Sequence, residues 1–107
     1  MKVCLYARVA CHDQTALDCQ VENLKAFAAE HSLDVVDVAA EFGSGMSADR
    51  QALSRVEALA VKRQIDAIIV KDISRLYRDT FKYDELKRRL DSYGVRIYTL
   101  DALQRLL

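Results

Sequence analysis

Residues 66–80 read DAIIVKDISRLYRDT. The four apolar residues at 67–70 form the most hydrophobic strand-like run in the chain, and they give way at once to a lysine, a serine and two arginines. On the N-terminal side, RQALSRVEALAVKRQ (50–64) places Leu53, Val56, Leu59 and Ala60 on one helical face. On the C-terminal side, a helix is predicted from about Asp79 to Tyr93 with Phe81, Leu86 and Leu90 inward, closed by Gly94 and followed by a strand, VRIYTL (95–100). The buried strand therefore sits between two helices.

The same alternation holds earlier in the chain. VCLYARV (3–9) is β-rich and apolar, and TALDCQVENLKAFAAEH (15–31) repeats Leu17, Val21, Leu24 and Ala28 at helical spacing, with Asp13 or Thr15 available as its cap. LDVVDVAAEF (33–42) reads as a strand and GSGMSAD (43–49) as a mobile loop. Four strands alternating with three helices predict a parallel sheet covered on both faces, because right-handed crossovers carry successive helices onto the sheet. The expected fold is a three-layer, doubly wound α/β domain spanning 1–107. The closing DALQRLL is expected to begin another helix.

With 107 residues, 16 Lys+Arg against 16 Asp+Glu, and 51% hydrophobic residues, the chain fits one modest core. The even charge excludes attraction to a polyanion through net charge, so any anion site must be local. No apolar run is long enough to cross a bilayer, and Arg8 interrupts the start too soon for a signal-peptide core. A cytoplasmic protein without a membrane partner is expected. Cys4, Cys11 and Cys19 are odd in number and lack paired metal-site spacing, which predicts small, mostly buried reduced thiols rather than bridges or a zinc site.

In a doubly wound sheet, ligands bind beyond the carboxyl ends of the strands, where strand order reverses. That rule selects Arg8 and Ala10 after the first strand, Asp49 and Arg50 after the glycine loop, and Lys71, Ser74, Arg75 and Arg78 after the third strand. Each arginine alone has an ordinary surface reading. Arg8 does not, because a charge in an apolar, two-sided strand is costly unless it lies near the strand end and is partnered. Four arginines at one edge would hold a phosphate, their planar forks matching its oxygens. Tyr6 lies on the same strand face as Arg8.

These residues carry a resemblance. YARVACHDQ (6–14), LDCQVENL (17–24), GSGMSADRQAL (43–53) and IIVKDISRLYRDT (68–80) resemble, in order and spacing, the catalytic domain of the serine recombinases, the resolvase and invertase family. The resemblance implies DNA strand exchange with no metal or nucleotide cofactor. In that family a serine hydroxyl attacks a backbone phosphate, forming a phosphoserine link while arginines stabilise the transferring group. By position, Arg8, Arg50, Arg75 and Arg78 match the family's phosphate-binding arginines. Tyr6, Gln14 and Gln20 match its supporting residues, and Ser44 matches a loop serine near the site. Asp49 matches the acid beside the loop arginine, Lys71 a basic residue at the third strand's end, and Ser74 a position held by aspartate or serine.

The chain departs from the family at the nucleophile. The family reads YARVS where this sequence reads YARVA, so Ala10 stands at the position of the attacking serine. Cys11 is adjacent, but a neighbour along the backbone points its side chain elsewhere. Ser44 and Ser47 lack a neighbouring base to activate them, and His12 reads as a capping or exposed residue. The expectation is a cleavage-deficient recombinase catalytic domain. The alternative is a regulatory module that assembles with an active recombinase, and a third reading makes Cys11 the nucleophile. The family's dimer-forming helix and DNA-recognition domain are not expected within 107 residues, so weak, non-specific DNA binding and a monomer or weak homo-oligomer are anticipated.

Overall fold

A computed structural model describes residues 1–43 and 50–100. The elements run β1 (Lys2–Val9), α1 (Gln14–Glu30), β2 (Asp34–Phe42), α2 (Gln51–Val61), β3 (Ala67–Val70), a 3₁₀ turn (Ile73–Arg75), α3 (Thr80–Ser92) and β4 (Arg96–Thr99). The strands form one sheet in the order β2-β1-β3-β4, and all three neighbouring pairs are parallel. The chain leaves β1 towards β2 on one side and later returns to place β3 on the other. The strand order therefore reverses between β1 and β3, which is where a ligand is expected.

Strand alternation divides the core. Val3, Leu5, Ala7 and Val9 of β1 face α1 and pack with Leu17, Leu24, Phe27 and Ala28. Cys4 and Tyr6 face the opposite way and join Leu53 and Val56 of α2 and Leu86 and Leu90 of α3. The three-layer, doubly wound architecture expected from the sequence is the one observed. Arg8 shares the parity of Cys4 and Tyr6, so its side chain leaves the sheet on the α2/α3 face, at the carboxyl end.

Local chemistry sets the helix ends. Asp13 caps α1, its Oδ1 accepting from the amide of Ala16 at 3.0 Å, and Asp79 caps α3 through the amide of Phe81 at 2.9 Å. Gly94 ends α3 with a left-handed φ of 75°, a conformation that favours glycine. Ser32 and Arg63 take the same region, at φ 54° and 56°, after α1 and α2.

Two sequence expectations are corrected. Phe81 does not point inward: it is 67% exposed, and the inward position three residues before Leu86 is taken by Tyr83, which packs against the core. Phe81 lies five positions before Leu86, which rotates it well off the buried stripe. Nor are the cysteines mostly buried. Cys4 is buried, but Cys11 lies in the exposed turn after β1, and Cys19 is on the outer side of α1, away from Leu17 and Leu24. The loop expected at 43–49 and the helix expected from DALQRLL fall, beyond Gly43, outside the described residues. Among the described residues, no helix is long and apolar enough to cross a membrane.

Candidate functional site

The pairing of β1 sets up the site. Against β3, register ends at Leu5↔Ile69, whereas against β2 it runs on to Val9↔Phe42. The backbone of Arg8 thus projects past β3 with one edge unpaired, and a buried unpaired peptide is costly. Gln20 of α1 fills the gap. Its Oε1 accepts from the Arg8 amide at 3.1 Å and its Nε2 donates to the Arg8 carbonyl at 3.3 Å, so one side-chain amide replaces a missing strand.

The Arg8 side chain is 2% exposed. Its Nε donates to the carbonyl of Arg75 at 2.8 Å, and its two terminal nitrogens donate to the carbonyls of Ser74 and Gly43. Arg50 sits at the N-cap position of α2, 6% exposed. It donates from Nη1 to the carbonyl of Leu76, and from Nη2 to that of Arg75 at 2.8 Å and to the Tyr6 hydroxyl at 2.5 Å. Its guanidinium also lies 4.8 Å from the centroid of the Tyr77 ring. Two guanidinium groups thereby hold three successive carbonyls, those of residues 74–76.

Glu41, near the end of β2, completes the arrangement. The Tyr6 hydroxyl donates to its Oε2, the amide of Ala52 donates to Oε1 at 3.1 Å, and the Arg50 Nε lies 3.8 Å away. The carboxylate therefore meets both an arginine and the first turn of α2, where negative charge is favoured. Sequence reasoning missed Glu41, although a lone acid two residues before the glycine of a predicted ligand loop was the available signal.

Charge is unbalanced across the site. Burial lowers the Arg8 pKa from its ordinary value, and the like charges of Arg50, Arg75 and Arg78 lower it further. Burial raises the Tyr6 pKa, and its bond to Glu41 raises it again, so the hydroxyl keeps its proton. Arg75 is half-buried, with Nε 3.8 Å from an Asp72 oxygen and no hydrogen-bond partner for that nitrogen. Arg78 is exposed.

The structure thus brings together Tyr6, Arg8, Gln20, Arg50, Ser74 and Arg75, with Arg78 close enough to act on Arg8 through its charge. Ser74 contributes its carbonyl, while its hydroxyl donates to Asp72. Ala10 follows β1 by one residue and is exposed at this end. Two expected residues lie elsewhere. Gln14 is exposed on α1, its amide donating to Asp18 at 2.8 Å, and Lys71 lines a groove of about 510 Å³ beside α1 together with Gln20, Phe27 and Leu100. His12 is exposed against the Phe42 ring, 4.8 Å between centroids. Ser44 and Asp49 lie outside the described residues.

Residues 3–105 match the family model described as the N-terminal domain of resolvase. The chain is 34% identical over 102 residues to the transposon Tn3 resolvases of Escherichia coli and Klebsiella pneumoniae, covering 94% of this chain and 51% of theirs. It spans about half the length of those curated relatives. Among solved structures, the C-terminal catalytic domain of ISC1926 TnpA, an IS607-like serine recombinase, superposes with a TM-score of 0.88 at 25% identity, covering 94% of this chain and 70% of that one. The corresponding domain of IS1535 TnpA superposes at 0.76 with 37% identity, covering 91% and 69%.

Proposed function

Because the chain belongs to the resolvase N-terminal domain family, we propose that it is a serine recombinase catalytic domain that retains a DNA-phosphate site but lacks the cleaving group. One observation carries this reading. Arg8 and Arg50 meet at the main-chain carbonyl of Arg75 at the switch point of the sheet, the charges of Arg75 and Arg78 act on Arg8, and the exposed residue two positions after Arg8 is an alanine.

Ala10 offers a methyl group where the family resemblance requires a hydroxyl. Without a nucleophile no phosphoserine can form, however well the phosphate is held, because nucleophile and stabilising charges act as a unit. Arginines alone bind and polarise the phosphoryl group. The chain's even charge limits the number of phosphates it neutralises, so DNA binding by this domain is weak, non-specific and lost as salt rises.

The test is a graft of this domain onto the dimer helix and recognition domain of a working relative. The grafted protein should bind its site and form no covalent product, and Ala10→Ser should yield some covalent protein–DNA complex. Covalent cleavage by the unmodified graft that disappears on Cys11→Ala would transfer the nucleophile to the thiol and overturn the proposal.

A further inference from the structure

The two most buried arginines here spend most of their donors inside the protein, with the Arg50 Nε left facing Glu41 without a hydrogen bond. A guanidinium has five N–H donors. Arg8 spends three on the carbonyls of Gly43, Ser74 and Arg75, and Arg50 spends three on the carbonyls of Leu76 and Arg75 and on the Tyr6 hydroxyl.

The 3₁₀ turn has little else to hold it. None of its three residues is buried, and its own bonds are few: Arg75 N–H to Asp72 O at 3.2 Å, Leu76 N–H to Ile73 O at 3.0 Å and Tyr77 N–H to Ile73 O at 3.2 Å. Leu76, just past the turn, is its apolar anchor. A segment with few buried contacts opens at low cost.

We propose that Arg8 and Arg50 form a latch, holding the carbonyls of residues 74–76 in the resting arrangement, and that an oxyanion reaches both arginines only by displacing those carbonyls. The inference rests on the phosphate-site reading and adds what the anion competes with. The exchange is chemically balanced. Each neutral carbonyl acceptor is replaced by a phosphate oxygen, whose charge-assisted bond is about twice as strong, and two of the freed carbonyls, those of Ser74 and Arg75, belong to residues already at least partly open to water. Arg75 and Arg78, on the turn and just after it, meet the anion first, so arrival at the surface is coupled to movement of the turn.

The test follows backbone amide exchange at Arg75, Leu76 and Tyr77 while inorganic phosphate is titrated at constant ionic strength, with calorimetry on the same samples. Saturable binding should speed exchange at these three amides at least tenfold and leave β3 unchanged. Arg8→Lys, which keeps the charge but cannot span three carbonyls, should show the faster exchange before phosphate is added. Saturable binding with the turn still fully protected overturns the latch and leaves the phosphate site standing. Absence of saturable binding overturns both. A turn as well protected in Arg8→Lys as in the parent also overturns the latch.

Discussion

The inner arginines, Arg8 and Arg50, and the outer pair, Arg75 and Arg78, belong to one charged cluster but stand in different physical situations. The inner pair is buried and satisfied by main-chain carbonyls, an aromatic ring and a hydroxyl. The outer pair is half-buried or exposed, and its guanidinium groups hold no main-chain carbonyl among the described residues; the Nε of Arg75, like that of Arg50, faces a carboxylate at 3.8 Å without a hydrogen bond. The difference teaches that a buried charge and a ligand contact are separate matters. If the nucleophile is lost, the outer arginines lose their purpose, while the inner ones still join β1 to the turn after β3.

The largest expected effect separates the pairs outright. Arg8→Gln leaves carbonyls of the turn and of Gly43 without their buried donors and should cost about 2–4 kcal/mol of stability, measured by urea unfolding; a loss no greater than that of Arg78→Gln would break the distinction. Tyr6→Phe should cost about 1–3 kcal/mol, because it strips a donor from Glu41 and an acceptor from Arg50.

Alkaline pH sharpens the same contrast along β1. Burial pushes the Cys4 thiol from 9.0 up to about 12, and the charge of Asp37 adds to the shift. A group whose folded pKa is raised keeps its stabilising contribution below the unfolded pKa and loses it as pH climbs through the folded one. Stability should therefore fall between pH 9 and 12, by roughly 1.4 kcal/mol per pH unit from this thiol. Cys4→Ala should flatten that slope, and an unchanged slope would assign the loss to other groups. The smallest effect belongs to the surface: Arg78→Gln should change stability by no more than about 0.5 kcal/mol, yet weaken phosphate binding about tenfold, as read by calorimetry.

How far the sequence could carry these conclusions depended on the kind of signal. Strand–helix alternation and the apolar run at 67–70 specified the layers and the sheet's ligand edge, because burial leaves a period in the sequence. The inward placement assigned to Phe81 ignored that Tyr83, not Phe81, continues the stripe of Leu86 and Leu90. Arg8 stood out because charge in an apolar strand is anomalous, and Arg50, Arg75 and Arg78 through their place beyond the strands' carboxyl ends, but the use of carbonyl acceptors by Arg8 and Arg50 left no trace in residue type. Glu41 carried only a weak signal, its place two residues before the loop glycine, since an acid at a strand end is ordinary until Tyr6, Arg50 and the start of α2 close around it. Gln20 bonds through its side chain to a backbone twelve residues away, and nothing in its own helix announces that.

The division between the two arginine pairs is tested most directly by solvent exchange of the arginine Nε–H protons, followed by NMR in the phosphate-free protein. The Arg8 proton, bonded to the Arg75 carbonyl at 2.8 Å in a residue 2% exposed, should exchange at least tenfold more slowly than that of the exposed Arg78. Equal, rapid exchange at both would mean that Arg8 is free in solution, and would contradict the account.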